Sequence, residues 1–552
     1  MDFEPTKLAK KLPGKGTGLY YDPLYDGYVP LPHYLRQAMD LDVFQRLQGI
    51  KQLSTVYLTF RGAVHTRFVH SVGTAYLASV LFNRLREVAA ESKGDDDFPD
   101  MNPVTEAAMC LAALFHDVGH GPFGHIFEMY CRRVPAFKDW THEKMARKLI
   151  TGQDEAERDI SQPAFTQIKT LLKEIQAALE KTLGQKPANI ALLNPLNIYR
   201  IASGEAPDLG SSDLNNRYSF LKDIIASPYG LDRLDYLRRD AYYSGVNTGN
   251  VDIGEIIANV IIKKHEDKHE LFLKPECMPA LETLLQARNL VYRRLYHDSV
   301  HRSAQELVIR GLSDLRVTDP ESICLLTDDG LLARFSERLG LLSAQISERV
   351  RCRVLDERIP LCSHWDIKES APRLGDYTTT AWDRLQGCER SIAEKAGMPS
   401  DSVFYDIEII PAVKRQDFEA KVFYDTVGGE PHLKSLFDLA PHLEMIYGEN
   451  KAYKVDGARQ YNESVSRIIV CFPYSAIAAN IEGLYNETDA DLEAGINALY
   501  EDRLKPLVEG FFVTILGWKK EELAKPVNAD RFAGLKEQGV HYLRELIGQH
   551  AA

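Results

Sequence analysis

The segment LAALFHDVGHGPFGH, residues 111–125, places His116 and Asp117 side by side at the end of an apolar run. Core packing does not require this pair, and a buried aspartate is costly unless it is paired or binds a metal. Imidazole nitrogens and carboxylate oxygens together suit divalent transition metals, and the C-terminal end of a helix favours a cation. The pair therefore predicts two metal ligands, with others supplied from elsewhere in the fold.

Histidines are concentrated around this segment. Six of the 16 histidines fall between residues 65 and 142: His65, His70, His116, His120, His125 and His142. A single histidine on an apolar helix is more often a hydrogen-bonded core residue than a ligand, but the adjacent His116–Asp117 pair favours a functional cluster. His70, in HTRFVHSVG, and Asp232, in GLDRLDYLRRD, are the natural further ligands, because each lies on a predicted helix beside basic residues.

The elements that must position these residues are mainly helical. Apolar residues recur at helical spacing from about Leu35 to Ala90, and another apolar run contains Cys110. A break rich in glycine and proline then separates His116 from His125. Short β-type runs occur only beyond about residue 320, in FYDIEIIPAV, EAKVFYDT and RIIVCFPY. We predict a mainly α fold, with a helical core followed by a smaller mixed α/β lobe.

Composition narrows the class of protein. A chain of 552 residues is too long for one compact core, and a net charge of −13 leaves no overall signature of nucleic-acid binding. The eight cysteines are scattered without a Cys-x-x-Cys pair, which indicates neither a zinc ribbon nor a disulfide framework, so we expect a cytoplasmic protein. No apolar run approaches the roughly 20 residues of a membrane span, so we expect no membrane partner.

The order of His70, His116–Asp117 and Asp232 resembles the H…HD…D signature of HD-domain metal phosphohydrolases. The flanking segments AVHTRFVHSVG, HDVGHGPFGH, WTHE and LDRLDYLRRD more specifically resemble the deoxynucleoside triphosphate triphosphohydrolases of the SAM-and-HD-domain type. The resemblance covers residues 20–310 and is faint beyond them. It implies an irregular N-terminal segment (1–35) without a SAM domain, an HD domain (36–310) with an insertion at about 151–215, and a C-terminal α/β lobe (311–552).

The same resemblance implies the ligands and the reaction centre. His70, His116, Asp117 and Asp232 would hold a divalent metal ion, which could be Mn, Fe, Mg, Zn, Co or Ni. His120, His125 and His142 would line the reaction centre, where water attacks the α-phosphorus of a dNTP and the 5′-oxygen of the deoxynucleoside leaves, which releases tripolyphosphate as the other product. We expect His125 to protonate the leaving oxygen, because a histidine has its pKa near the working pH.

Substrate-binding positions are implied in the same way: Gln52, Leu53, Arg67, Arg233, Tyr236, Asp240, Arg288, Tyr296 and His297. The arginines and Tyr236 would grip the triphosphate, since arginine makes charged, bidentate contacts. Gln52 and Asp240 would hold the 3′-hydroxyl of the sugar. Leu53 and Tyr296 would crowd a 2′-hydroxyl and so favour deoxyribose. His297 stands where relatives carry glutamine, which leaves the base preference open.

Relatives of this type form dimers or tetramers, so a homo-oligomer is expected. Some are activated by nucleotides at a site that uses a lysine and an arginine. Here Gly18 and Gln48 occupy those two positions, although Asp40 matches an acidic residue of the same site. The two missing cations argue against the same triphosphate activator, or for a different pocket.

Two other classes of function stay open at this point. One is an HD phosphohydrolase, a phosphodiesterase or phosphatase, that acts on a different nucleotide; the predicted triphosphate contacts of Arg67, Arg233 and Arg288 argue against it. The other is a regulator that senses nucleotides or binds nucleic acid through a vestigial HD site. The intact ligand set and the acidic net charge argue against that class.

Overall fold

The computed structural model describes residues 17–25, 27–91, 97–160, 163–249, 251–296 and 299–337, with short segments between 363 and 507. Helices dominate the first 337 residues, which confirms the mainly α prediction. The first helices are α1 (His33–Met39), α2 (Asp42–Gln45), α3 (Arg67–Glu91), α4 (Pro103–Phe115), α5 (His125–Arg133), α6 (His142–Thr151), α7 (Pro163–Leu183) and α8 (Pro195–Ala202). They are followed by α9 (Ser212–Arg217), α10 (Asp223–Ala226), α11 (Leu231–Ser244), α12 (Ile253–Ala258), α13 (Met278–Val291), a π-helical turn (Tyr292–Tyr296), α14 (Ser299–Asp314), α15 (Pro320–Cys324) and α16 (Asp328–Ser336).

Helix α4 lies at the centre of the core. Asn102 caps its N-terminus by accepting hydrogen bonds from the backbone N–H groups of Val104 and Thr105, and Pro103 occupies the first turn. Almost every residue from Val104 to Phe115 is buried, because α4 packs against α3 on one side and α8 on another. The helix ends at Phe115. The next two residues, His116 and Asp117, are therefore held at its C-terminal end.

The N-terminal segment is not irregular throughout, contrary to expectation. Strands β1 (Thr17–Asp22) and β2 (Gly27–Pro32) form an antiparallel hairpin. Along β1 the exposed Leu19 and Tyr21 alternate with the partly buried Tyr20 and the buried Asp22, which is the period-2 pattern of a strand. Prolines in and after the strands disguise that pattern in the sequence.

The segment expected to be an insertion, 151–215, is built into the same core. Its predicted amphipathic helix corresponds to α7, which buries Ile168, Leu171, Leu172 and Ile175. These side chains belong to the central hydrophobic cluster, and α7 packs against α6 and α8. The segment therefore supports the helices that carry the site.

Strands are short and gathered towards the C-terminus. Strands β3 (Val260–His265), β4 (Lys268–Leu273), β7 (Val422–Tyr424) and β8 (His432–Lys434) form one sheet in the order β3-β4-β7-β8. Strands β5 (Ser363–Trp365), β6 (Phe404–Ile410) and β11 (Ser464–Cys471) form another in the order β5-β11-β6, and β9 (Tyr453–Val455) pairs with β10 (Ala458–Gln460). The predicted β-type runs thus contain β6 and β7 and cover the second part of β11. Because β4 pairs with β7, the expected domain boundary at 310/311 is crossed by a sheet.

Within the residues that the structure describes, no helix combines the length and apolar character needed to cross a membrane. In the same part of the chain Cys110, Cys131, Cys277 and Cys324 are buried free thiols.

Candidate active site

The four predicted metal ligands converge from three parts of the chain. His70 lies in the first turn of α3, His116 and Asp117 follow α4, and Asp232 lies in the first turn of α11. The Nε2 atom of His70 is 3.2 Å from Nε2 of His116 and 3.0 Å from Oδ1 of Asp232. The Nε2 atom of His116 is 3.4 Å from Oδ1 of Asp117 and 3.6 Å from Oδ1 of Asp232. The structure therefore brings all four together.

These donor atoms fit a divalent cation. Ligand atoms bound to one ion at about 2.1 Å lie roughly 3–4 Å from one another, as they do here. The Nδ1–H of His116 donates to the carbonyl of Ala113 at 2.8 Å, which leaves its Nε2 lone pair available as a ligand. The Nδ1 atom of His70 lies 2.8 Å from Oδ2 of Asp235, so its Nε2 is left for the cluster in the same way.

A buried ionic network holds His70 on its Nδ1 side, away from the metal cluster. The carboxylate of Asp235 accepts from Arg239 Nε at 2.7 Å, from Arg239 Nη2 at 2.9 Å and from the Tyr25 hydroxyl at 2.6 Å. Arg239 also donates to Asp22 Oδ2 at 2.8 Å, which ties the N-terminal hairpin to the site. Sequence reasoning missed this network, although Asp232, Asp235 and Arg239 follow one another at helical spacing on α11.

The carboxylates attract positive charge to this cluster. Burial lowers the pKa of His70, but hydrogen bonds with Asp232 and Asp235 outweigh it and raise that pKa to about 10. Burial raises the pKa of Asp117, yet His116 and Arg67 hold it well below its usual value. An environment that favours imidazolium over imidazole also favours a metal cation.

The three predicted reaction-centre histidines lie directly beside the metal cluster. The ring of His120 stacks on that of His142 with centroids 3.9 Å apart, and the ring of His125 meets His120 edge-on at 4.8 Å. Nε2 of His120 is 3.4 Å from Oδ1 of Asp117, which joins the two groups. Burial, with the charge of Arg67, lowers the pKa of His120 well below its usual value, whereas 67% of the His125 side chain is exposed.

Glu128 orients two of these histidines and was missed by sequence reasoning. Its Oε2 lies 2.8 Å from Nδ1 of His142 and 3.5 Å from Nδ1 of His125, and Arg132 donates to its Oε1. Burial raises the pKa of Glu128, but its hydrogen bonds with His125 and His142 lower it far more, so the carboxylate is ionised. The only sequence signal is its position three residues after His125 on α5.

Glu128→Gln is expected to lower kcat for phosphate-ester hydrolysis by about 10- to 100-fold, as is typical when a carboxylate that orients a functional histidine is removed. Steady-state kinetics on metal-loaded protein measure this effect. Glu155→Gln, at an exposed position beside Lys144, is the matched control. An unchanged kcat in the Glu128 variant would contradict the orienting role.

The glycine-rich turn between His116 and His125 is pressed tightly against its neighbours. A Cβ atom on Gly119 would lie 1.9 Å from the carbonyl oxygen of His142, at the start of α6. Gly124 has φ +54°, and a Cβ there would lie 2.7 Å from the Arg67 guanidinium. Only glycine allows the turn to approach both α6 and Arg67. This explains the glycines between His116 and His125 in the sequence.

The predicted phosphate contact of Arg67 lies beside the metal cluster, since its Nη1 donates to Asp117 Oδ2 at 2.6 Å. Arg233 and Arg288 lie on α11 and α13, and the charges of both act on Tyr236. Burial raises the pKa of Tyr236 well above its usual value, so its hydroxyl stays protonated as a hydrogen-bond donor. The structure therefore gathers Arg233, Tyr236 and Arg288 in one region.

The predicted sugar contacts gather around His65. Asp240 Oδ1 lies 2.8 Å from Nε2 of His65, and the Tyr296 hydroxyl donates to Asp240 Oδ2 at 2.5 Å. The backbone N–H of Gln52 donates to the carbonyl of His65 at 3.0 Å. Within the described part of the chain the buried Oε1 of Gln52 has no hydrogen-bond partner, as expected of a group that awaits a ligand.

Two further predicted substrate contacts and the three positions that match the activator site have the following places in the structure. Leu53 is buried in the central cluster, and His297 lies outside the described residues. Gln48 donates to the side chain of Gln45 at 2.6 Å, and Asp40 is exposed. Gly18 lies in β1.

Comparison with known families agrees with this geometry. Residues 67–208 match the HD domain, and residues 251–446 match the HD associated region. The chain is therefore an HD-domain protein. The HD match continues through most of the segment that we expected to be an insertion.

The chain is similar to two curated relatives over about half of its length. It is 31% identical over 272 residues to the uncharacterized protein YwfO of Bacillus subtilis, which covers 49% of each chain. It is 28% identical over 294 residues to the deoxynucleoside triphosphate triphosphohydrolase SAMHD1 of Gallus gallus, which covers 51% of this chain and 43% of that protein. The chain thus spans about half the length of the curated relatives that it matches.

The fold also resembles a solved structure. A crystal structure of a hypothetical protein from Aquifex aeolicus matches with a TM-score of 0.52 and 22% identity. The match covers 83% of this chain and 97% of that chain. At this identity the likeness concerns the fold alone.

Proposed function

We propose that this protein is a metal-dependent phosphohydrolase that cleaves deoxynucleoside triphosphates into deoxynucleoside and tripolyphosphate. The observation that carries the proposal is the position of Asp117 between two clusters. Its Oδ1 lies 3.4 Å from Nε2 of His116 in the metal cluster and 3.4 Å from Nε2 of His120 in the histidine cluster. A metal-held phosphate would therefore meet groups that can transfer a proton.

His70, His116, Asp117 and Asp232 would hold the metal ion, which when bound polarises the phosphate and lowers the pKa of the attacking water. Arg67, beside Asp117, places a permanent positive charge where phosphate oxygens would bind.

Exposure supports a division of labour among the three histidines. His125 is exposed, and its Nδ1 lies nearest Glu128, so its Nε2 is the nitrogen left to reach the substrate. In the proposed reaction water adds to the α-phosphorus, the bond from that phosphorus to the 5′-oxygen breaks, and His125 donates a proton to this oxygen. The buried His120 and the partly buried His142 that stacks on it would position the phosphates.

The sugar would bind at Asp240 and Gln52, where either the carboxylate or the unpaired amide oxygen can accept the one hydrogen bond that the 3′-hydroxyl donates. Leu53 and Tyr296 would leave no room for a 2′-hydroxyl, which supports a preference for deoxyribose. The similarity to SAMHD1 supports the same substrate class.

Product analysis tests the proposal. Purified protein with Mn is incubated with each of the four dNTPs and four NTPs, and Asp117→Ala is the inactive control. We expect release of deoxynucleoside and intact tripolyphosphate from dNTPs, and no release in the control. Release of monophosphate or pyrophosphate would contradict the proposal and favour another HD phosphohydrolase. No reaction with any triphosphate, alone or with each other nucleotide added as a second component, in protein shown to hold metal, would also contradict it.

Three expectations stay predictions. A homo-oligomer can be checked by light scattering on the same preparation, and a nucleotide activator by adding each nucleotide as a second component. Metal analysis of protein purified without added metal would identify the native ion.

A further inference from the structure

A buried carboxylate outside both clusters contacts the two loops that carry the proposed reaction. Asp328 begins α16, and 1% of the residue is exposed. Its Oδ1 accepts from the backbone N–H of Phe123 at 2.6 Å, and its Oδ2 accepts from the backbone N–H of Lys51 at 3.0 Å. Phe123 lies in the turn between His120 and His125, and Lys51 immediately precedes Gln52. One side chain thus joins the turn with the reaction-centre histidines to the loop with the sugar contact.

Stability does not explain this carboxylate. The nearest cation shown for it, the ammonium of Lys51, is 3.8 Å from Oδ2, and that side chain is 25% exposed. Burial raises the pKa of Asp328 to about 6, so the two backbone hydrogen bonds and Lys51 compensate only part of the cost of burial. Because the ionised carboxylate costs folding free energy, we infer that it has a role in the site.

The turn that Asp328 holds needs an external constraint. Phe123 has φ +57°, a left-handed conformation that is uncommon for a residue other than glycine. Such a conformation persists where the surroundings hold it. Asp328 binds the N–H of Phe123, and the Ser54 hydroxyl donates to its carbonyl at 2.6 Å. Both backbone polar groups of Phe123 are therefore fixed by side chains from other parts of the chain.

The stretch preceding Asp328 holds the same turn. The Arg46 guanidinium donates to the carbonyl oxygens of Cys324 at 2.9 Å and Val118 at 2.8 Å. The Cys324 thiol lies 3.3 Å from the carbonyl oxygen of Gly119, to which it donates. Residues 324–328 are thus attached to the turn at several points, which makes Asp328 part of a continuous contact.

We propose that Asp328 is a positioning residue: its carboxylate holds the turn bearing His120 and His125 against the loop bearing Gln52, so that hydrolysis depends on a side chain of the HD associated region. This inference rests on the proposed function for its kinetic consequence. The positioning itself is a property of the folded protein and can be measured without substrate.

The test compares Asp328→Asn with Asp329→Asn in the full chain. Both variants lose one negative charge on the first turn of α16, but Asp329 is exposed. An asparagine keeps one acceptor oxygen and turns an amide donor towards the other N–H, so one of the two hydrogen bonds must break. Amide hydrogen exchange, followed by mass spectrometry of peptides covering Lys51 and Phe123, should be faster in Asp328→Asn and unchanged in Asp329→Asn.

Kinetics separate positioning from general destabilisation. Below the unfolding temperature, Asp328→Asn should lower kcat about 10- to 100-fold at unchanged metal content, because small displacements of catalytic groups cost this much. A variant that lost only stability would keep its kcat per folded, metal-loaded molecule, and that result would overturn the proposal. Loss of kcat in Asp329→Asn as well would also overturn it.

The hydrogen-exchange measurement tests the positioning role independently of the proposed function. If the unmodified protein hydrolyses no dNTP, the proposed function fails, while faster exchange in Asp328→Asn still supports the contact. Unchanged exchange overturns the positioning role whatever the activity. If the variant does not fold, hydrogen exchange of the unmodified protein tests the proposal instead. The amides of Lys51 and Phe123 should then be protected from exchange although both lie in turns. Unprotected amides there would overturn the proposal.

Discussion

Asp232→Asn is expected to strip the protein of bound divalent metal and to lower dNTP hydrolysis by at least about 100-fold, since a catalytic metal contributes several kcal/mol to the transition state. The variant removes a charged ligand 3.0 Å from Nε2 of His70 and 3.6 Å from Nε2 of His116. The side chain of Asp232 is 37% exposed, so the fold should tolerate the change better than a change at the buried Asp117.

Metal content by elemental analysis and kcat/KM, measured on the same preparation, check this prediction. Asp213→Asn, an exposed position on α9, should retain both metal and activity. If Asp232→Asn kept a full equivalent of metal and its activity, Asp232 would not be a ligand, and the cluster would have to be completed by other groups.

Arg239→Met is expected to lower the free energy of unfolding by about 3–5 kcal/mol, the cost of leaving buried charges without their partner. Arg239 is fully buried and neutralises both Asp235 and Asp22. Without it, Asp235 no longer holds the Nδ1 side of His70 as a fixed carboxylate, so metal affinity should also fall, by about 10- to 100-fold.

Urea denaturation of the metal-free protein measures the first effect, and metal titration measures the second. Arg238→Met is the matched control, because it makes the same change one residue earlier on α11 at a partly exposed position. Equal stability of the two variants would show that the buried network adds nothing to the fold.

Much of the site could be predicted because its signals are local. The end of α4 at Phe115 follows from an apolar helical run and the glycine-rich break, and His116 and Asp117 stand at that end. His120 and His125 occur in the same short turn. The predicted helices and their basic residues point to His70 and Asp232, and the resemblance adds the role of His142; the structure brings all three to the same place.

The rest depends on contacts between distant parts of the chain. Asp328 meets Phe123 across 205 positions and Lys51 across 277, and no local pattern signals such pairs. Asp22 meets Arg239 across 217 positions. Glu128 lies close to its histidines in sequence, but a glutamate on a helix is usually a solvated residue, so its role becomes visible only from the distances.

The attachment of Asp232 and residues 324–328 to the site has a consequence for how the protein matures. Residues 67–208, the span of the HD match, contain His70, His116 and Asp117 but lack Asp232, Arg239 and Asp328. The HD match by itself therefore does not contain the complete set of predicted metal ligands. During synthesis the predicted metal cluster can be completed only after Asp232 has been added, more than 100 positions after Asp117. Contacts between such distant residues form late in folding. A nascent chain that has only just passed residue 208 would therefore be catalytically silent.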